Sequence, residues 1–406
     1  MSTNRKTRTR DRTFAVQTRT GCAICGATAL TEVVCLPQLP LTGIYVRDHE
    51  NDSMYPKVDQ ALDLCQVCRH GQLRYLLDET YLYEDTYTHR GSESTLAVGV
   101  NEFFAAWLEE LTRGHTFARV LDVGCGDLYL LRRLAAKGKR LLGVDPIWRG
   151  QDHQADPTIA VRGGFINEVD VVDGLGGAPD LIVSNHTFEH IADVGSQLRH
   201  LLDIAADGAL IAVEVPSFDS LLAGRRFDQV FHQHVNYFSL ASFLELIRRS
   251  GGNYVGHTHN FSFWGGSLLI AFRKQAGDAQ LPAVNPPTAD AAIDSWQQFR
   301  RQLSVLAEVI ERVNEPLSGY GAAQILPMLA YHLQTDLSFL RAIYDDNPRR
   351  RGLSYPHLVP TIEQTGAETT FAELAILVTA LDSVRPIVRR AAELNARRII
   401  VPLNQF

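Results

Sequence analysis

Long apolar runs are missing from this 406-residue chain. None approaches the ~20 residues that a bilayer-spanning helix requires, so no membrane span is predicted. An excess of basic charge is missing as well. With 39 Lys and Arg against 46 Asp and Glu, the net charge of −7 argues against a dedicated nucleic-acid binder. Cysteine is sparse, six in all, too few for a disulfide scaffold in a chain of this size. The first residues, Met1–Arg12, have neither an apolar signal core nor a cleavage site. Residues 1–19 therefore read as a disordered basic tail rather than a secretory signal. These absences predict a cytoplasmic protein of ordinary globular composition, monomeric or weakly self-associating. Its length is too great for one core and implies two or three domains.

What cysteine there is falls in a pattern. Cys22 and Cys25 form one Cys-x-x-Cys hook, and Cys65 and Cys68 form another about forty residues on. Two such hooks supply four thiolates, enough to close a tetrahedral shell around one zinc ion. A closed shell leaves no position for water or substrate, so the ion is expected to be structural. Cys35 and Cys125 are expected to be small apolar packing residues.

Three blocks follow the tail. Residues 20–85 hold the zinc hooks and are rich in turns and aromatics; a metal clip is expected to stabilise a block with little core of its own. Residues 86–275 alternate strand candidates (Arg119–Val123, Arg140–Val144, Asp180–Ser184, Ala209–Val215) with helical spacing over Asn101–Leu111, Leu128–Lys137 and Gln197–Ala205. Such alternation predicts a parallel sheet covered by helices. Residues 276–406 begin with a Pro-rich link, Leu281–Pro287, and a long helix over Ala291–Asn314. Strands at Leu317–Tyr320, Leu340–Asp345, Glu373–Leu377 and Arg397–Val401 then predict a second, smaller α/β unit.

In the middle block a buried strand ends in Asp122-Val-Gly124-Cys-Gly126, and a helix is expected at once. The glycines let the backbone approach a ligand, and the helix N-terminus offers unpaired N–H groups. One strand later comes Asp145, placed to accept both hydroxyls of a ribose. A dinucleotide turn needs a third glycine; here Asp127, Leu128 and Tyr129 follow instead. Asp122 suits the amino-acid end of S-adenosylmethionine (SAM). The segment DLIVSNHTFEH, Asp180–His190, sets polar residues just past a strand, with Asn185 and His190 the candidates in it. A second dense segment, Phe227–Ser239, holds His232, His234 and Tyr237. An imidazole is the natural group to move a proton near neutral pH.

The order of zinc pairs, glycine turn, VEVPSFDSLL, FDQVFHQHVNYFSL, FWGGSL and GYGAAQ…DDNPRRRG…IIVPL resembles the bacterial deoxysugar C-methyltransferases over nearly the whole chain. The resemblance implies an α/β chain: a class I SAM-methyltransferase Rossmann-like core flanked by a small zinc-binding domain and a second, C-terminal α/β domain that binds sugar nucleotide. It implies methyl transfer to carbon, C3 in the nearest match, of a nucleotide-linked 4-keto-6-deoxyhexose. The family base falls on His234, its other histidine on His190, and a tyrosine closing the zinc domain on Tyr83, with Tyr81 adjacent. The chain departs from the family at Phe231, in place of a tyrosine, and at Gln233, in place of a glutamate. Leu269 stands where a polar residue is usual, and Ala323 where a lysine follows Gly-x-Gly-Ala.

Other readings stay open from the residues alone: methylation of another acceptor or a hydroxyl, a nicotinamide-dependent oxidoreductase, or a scaffold without catalysis. Arg349–Arg351 is either a solvated turn or a phosphate site. Trp107, Phe103 and Phe104 are expected to pack, and His257 and His259 to be structural.

Overall fold

The strand expected at Arg119–Val123 runs over Phe117–Val123 and lies at the centre of an eight-stranded sheet. The computed structural model describes residues 15–47, 54–78, 95–263, 265–275, 277 and 280–403. Five parallel strands form the middle of that sheet, in the order Leu210–Pro216, Leu181–Asn185, Phe117–Val123, Gly138–Asp145 and Ile159–Gly163. Val120, Leu121, Leu181, Ile182, Ile211 and Ala212 are fully buried. Such continuous apolar runs are what a sheet covered on both faces demands. An antiparallel hairpin, Asn253–Asn260 with Ser267–Arg273, extends one edge. Leu269 lies in it, fully buried, which is why that position carries no polar group.

The first strand is flanked by strands reached in opposite directions along the chain, so a crevice opens at the carboxyl ends. Helices close the faces. Asp193 caps Val194–Ile204 by accepting from Ser196 N at 3.0 Å, and Val194, Leu198, Leu201 and Leu202 form its buried stripe. The helix before the glycine turn is longer than expected, Thr95–Thr112. Phe104 is fully buried and Phe103 is exposed, so only the first of that pair packs. The helix after the turn is shorter, Tyr129–Arg133, and passes into a 3₁₀ turn at Ala135–Lys137.

The zinc-hook block contains more sheet than its sequence suggests. Leu30–Leu39, Val58–Cys65 and Gly71–Leu73 pair antiparallel, and a fourth strand, Asn236–Tyr237, joins from the middle of the chain. Its apolar face (Val34, Leu36, Leu62, Leu73) shares a core with Phe227 and Phe299. This block is thus stabilised by packing against its neighbours as well as by the cysteine hooks. Cys125 is buried as expected, but Cys35 is exposed on the outer face of its strand and does not pack.

The last unit is a five-stranded parallel sheet in the order Ile362–Gln364, Ile343–Asp345, Leu317–Tyr320, Ala375–Val378 and Arg398–Ile400. A long helix, Ala289–Glu311, leads into it and buries Phe299, Leu303 and Leu306. Arg226 ties this unit to the larger one: it is 3% exposed and lies 2.8 Å from both Asp228 and Asp382. Paired on both sides, a buried guanidinium is tolerated; alone it would be costly. Among the described residues, no helix is long and apolar enough to cross a membrane.

Candidate active site

Beyond Val123 the chain turns through Gly124 (φ 79°) and Gly126 (φ 50°). A Cβ on Gly124 would lie 2.0 Å from Thr187 Oγ1, so only glycine fits there. Two residues on, Leu128 takes a left-handed φ of 69° and buries its side chain, so the turn ends on an apolar residue and the third-glycine position is Tyr129. Asp145, at the tip of the next strand, holds the turn: its Oδ2 accepts from Gly126 N and its Oδ1 from Ile147 N, each at 2.9 Å.

Asp122 is 1% exposed, and its Oδ2 has no hydrogen-bond partner among the described residues. Burial, with the charge of Asp145 added, pushes its carboxyl up to about 8. Asn185 Oδ1 is likewise buried without a partner, while its amide donates to Asn101 Oδ1 at 3.1 Å. An unsatisfied buried carboxylate beside a glycine turn calls for a cationic group. The chemistry of Asp122 and Asn185 fits the amino-acid end of SAM.

The four hook cysteines also meet. Their sulfurs all lie within 4.8 Å of one another, with Cys22 to Cys68 at 3.4 Å and Cys25 to Cys65 at 3.5 Å. A tetrahedral shell with Zn–S of about 2.3 Å has sulfurs about 3.8 Å apart. Each hook adds an N–H to its first sulfur, Ile24 N to Cys22 Sγ and Val67 N to Cys65 Sγ, both at 3.4 Å. The donor set and its closure fit a structural zinc ion.

The two histidine segments come together in front of the cofactor turn. The rings of His190 and His234 are 4.9 Å apart and nearly perpendicular. His190 sits on a 3₁₀ turn, Phe188–His190, and its Nδ1 is 2.8 Å from Gln233 O. Burial, then the neighbouring His190, pushes His234 well below the usual imidazole value. Phe231 lies over His234 with ring centroids 4.2 Å apart.

Asn236 locks this arrangement. Its amide donates to Phe188 O at 3.1 Å and Ile191 O at 2.7 Å, and its Oδ1 pairs with His70 Nε2 at 3.2 Å. The zinc-domain sheet therefore reaches the loop that carries His190 through the strand that begins two residues after His234.

Other expected participants stand elsewhere. His232 is buried between Gln60 (3.2 Å from Nδ1) and Leu39 O (3.3 Å from Nε2), away from the histidine pair. Tyr237 donates to Gln229 O and accepts from Phe231 N, both at 3.3 Å, and so shapes the loop. Gln233 turns its amide to the zinc domain, accepting from Thr42 Oγ1 at 2.8 Å and donating to Thr42 O at 3.1 Å. His257 lies on a strand with its Nδ1 2.6 Å from Tyr254 OH, and its ring is 5.9 Å from that of His259. Tyr83 and Tyr81 lie outside the described residues.

Sequence reasoning missed three residues here: His186, Glu189 and Glu214. His186 has a left-handed φ of 52° and an Nδ1 3.1 Å from Glu189 Oε1. Its Nε2 is 3.8 Å from Glu214 Oε1. His186 and Glu189 stood in view in the segment DLIVSNHTFEH. Their burial, the property that makes them notable, is not a property of the string.

One cavity of about 1840 Å³ joins these features. It runs from Asp122 and Asp145, past His190 and His234, to Tyr320 and Arg350 in the last unit, under the zinc-domain loop at Thr42. A single small-molecule site occupies roughly 300–1,000 Å³, so there is room for two ligands. Arg350 is 3.0 Å from Asp345 and stacks on Tyr45, and Arg349 lines the cavity beside it. Arg350 is half-buried and paired, whereas Arg349 is exposed.

Comparison with known proteins agrees with this layout. Residues 97–256 match the family model described as "Methyltransferase domain", and residues 22–83 match "Putative zinc binding domain". The C-methyltransferase NovU of Streptomyces niveus is 25% identical over 319 residues, covering 74% of this chain and 75% of that protein. A ubiquinone biosynthesis O-methyltransferase of Pseudomonas aeruginosa (strain UCBPP-PA14) is 27% identical over 114 residues, 27% of this chain and 49% of the relative. Among solved structures, the N-methyltransferase NodS of Bradyrhizobium japonicum WM9, in complex with S-adenosyl-L-homocysteine, is similar at 14% identity and a TM-score of 0.34, over 45% of this chain and 89% of that one. With the cofactor turn and the cysteine cluster both in place, the chain carries a SAM-dependent methyltransferase domain over residues 97–256 and, ahead of it, a zinc-binding domain over residues 22–83.

Proposed function

We propose that the protein methylates carbon on a nucleotide-linked 4-keto-6-deoxysugar, at the position beside the ketone. The observation that carries this reading is the histidine pair, His234 buried and His190 half-buried, with rings 4.9 Å apart, lining one cavity together with the cofactor turn and residues of the C-terminal unit. A hydroxyl acceptor needs little more than a base at its oxygen. A carbon acceptor must first lose a proton and hold the electrons left behind. Two facing imidazoles in a water-poor pocket suit that task.

Asp122 and Asn185 would hold the amino-acid end of SAM, and Asp145 its ribose. The bound cofactor supplies an electrophilic methyl group. His234, kept neutral by burial, takes the proton from the carbon next to the ketone; the C–H pair becomes the enolate C=C bond, and the carbonyl π pair moves onto oxygen. His190 faces the same pocket and is held in register by Gln233 O. Phe231 walls off His234 and keeps water from quenching the carbanion. Arg349 and Arg350 stand at the far end of the cavity, where a diphosphate would lie. The similarity to NovU, named a C-methyltransferase, supports carbon as the acceptor.

The test is a mass measurement of a thymidine-diphosphate 4-keto-6-deoxyhexose incubated with zinc-loaded protein in deuterated buffer. One deuterium should enter without SAM, and one methyl group should be added with it. His234→Asn should abolish both while cofactor binding by calorimetry persists. Full exchange in that variant would remove His234 from its role. A product whose methyl carbon resonates as a methyl ether would move the reaction from carbon to oxygen.

A further inference from the structure

Glu189 is 1% exposed, and its Oε2 has no hydrogen-bond partner among the described residues. Its Oε1 is 3.1 Å from His186 Nδ1 and 3.9 Å from His190 Nε2. One nitrogen each of His190 and His234 and one oxygen of Glu189 lie within 4.8 Å of one another. A buried carboxylate therefore lies against both rings of the histidine pair.

A second buried carboxylate lies on the far side of His186. Glu214, on the Leu210–Pro216 strand, is fully buried and is hydrogen-bonded by Ser267. His186 lies between the two carboxylates. Burial alone would lower His186, but its bond to Glu189 and the neighbouring Glu214 carboxylate raise it to about 9, so it stays cationic at neutral pH. Of the two carboxylates, Glu189 is the one with an oxygen within 4.8 Å of nitrogens on both His190 and His234. Burial would raise Glu189, but its bond to His186, then the charges of the three histidines, hold it down to about 2. Burial, His190 and His186 all disfavour a proton on His234; Glu189 is the group that favours one.

The position that carries a glutamate in the resembling enzymes cannot do this here. Gln233 points away from the pair and is occupied at both ends by Thr42. The carboxylate beside the rings comes instead from the opposite side, from the residue preceding His190.

We propose that Glu189 is a positioning residue for proton abstraction: its buried charge stabilises the imidazolium formed when the His190–His234 pair takes the substrate's proton. Resting on the carbon-methylation reading, it adds a residue that touches neither substrate nor cofactor. The step balances within the pair. The carbon's proton goes to His234 nitrogen, the C–H pair becomes the enolate C=C bond, and the carbonyl π pair moves onto oxygen. On methyl transfer the C=C pair bonds the methyl carbon, the S–CH3 pair stays on sulfur, the ketone re-forms, and the proton then leaves His234 to solvent. Without the nearby anion the pair would have to hold a cation in a buried site with no counter-charge.

The experiment uses the full zinc-loaded chain as wild type, Glu189→Gln and Glu189→Asp. The ¹⁵N-imidazole NMR signals of His190 and His234 are followed against pH, each assigned by its loss in an Asn variant. This readout needs no sugar, so it stands even if the acceptor is misassigned. In Glu189→Gln the first protonation of the pair should fall by at least one pH unit. Deuterium exchange into the keto-sugar should fall at least a hundredfold, with SAM affinity and zinc content unchanged. Glu189→Asp keeps the charge and should recover part of both; it also carries the test if the glutamine variant folds poorly. An unchanged protonation midpoint in Glu189→Gln would overturn the proposal. So would a second equivalent of divalent metal in the wild type that is lost with Glu189, because the carboxylate would then be a ligand.

Discussion

Gln233→Glu replaces one nitrogen by one oxygen at a buried site where the resembling enzymes carry the acid. The structure says this change harms the protein. Gln233 Nε2 donates to Thr42 O at 3.1 Å, and an oxygen there cannot donate unless protonated. Thr42 is 4% exposed, so its carbonyl would lose its partner away from water, at about 1–3 kcal/mol. Repulsion between two facing oxygens adds about 1 kcal/mol on the scale of a lost hydrogen bond, for roughly 2–4 kcal/mol in total. The cost depends on pH with a definite sign. The folded state favours the protonated carboxyl, whose O–H can replace the amide donor, so the variant's folded pKa is raised. Its stability therefore matches wild type below the ordinary glutamate value of about 4.3 and falls away as pH rises above it. For a unit of about 200 residues the loss corresponds to a melting temperature lower by roughly 5–10 °C. Thermal unfolding of wild type and variant at pH 5 and pH 7.5 measures it, with the gap widening at the higher pH. A variant as stable as wild type at both pH values, with faster proton exchange on the keto-sugar, would refute the reasoning and return this position to the chemistry.

Asp122→Asn should act in opposite directions on binding and stability. Losing a charge-assisted bond to an ammonium weakens SAM binding by about 1.5–3 kcal/mol, tenfold or more. The ligand-free protein gains stability, because a carboxyl raised to about 8 costs the folded state increasingly as pH climbs toward that value. Calorimetry and thermal unfolding at pH 8 check both, and SAM binding to wild type should release protons near neutral pH. Asn236→Leu strips the side-chain donor from Ile191 O and one of two donors from Phe188 O, which keeps Ile191 N at 3.3 Å, at about 1–3 kcal/mol for one orphaned carbonyl. The cysteine cluster is untouched, so zinc content should hold while proton exchange falls at least tenfold; undiminished exchange would deny Asn236 its part in setting the histidine pair.

The local parts of this protein are legible in its sequence because each is made by neighbours along the chain. A Cys-x-x-Cys hook needs only the turn between its cysteines. The cofactor turn needs a strand, two glycines and a following helix, and Asp145 lies one strand away. Alternating apolar segments determine the two parallel sheets for the same reason: strand and helix periodicity is set over a few residues. The histidine pocket is not local. His234 meets His190 because Asn236 bonds across the chain to Phe188 and Ile191 while its strand pairs with Gly71–Leu73. His232 was indistinguishable from His234 in the string until burial between Gln60 and Leu39 separated them. The missing glutamate at Gln233 read as a loss of chemistry, and tertiary packing made it a staple to Thr42. Glu189 became an acid beside two imidazoles only when folding removed the water. Charge in a sequence is a count; its effect is set by distance and by the dielectric around it, and both are decided by the fold.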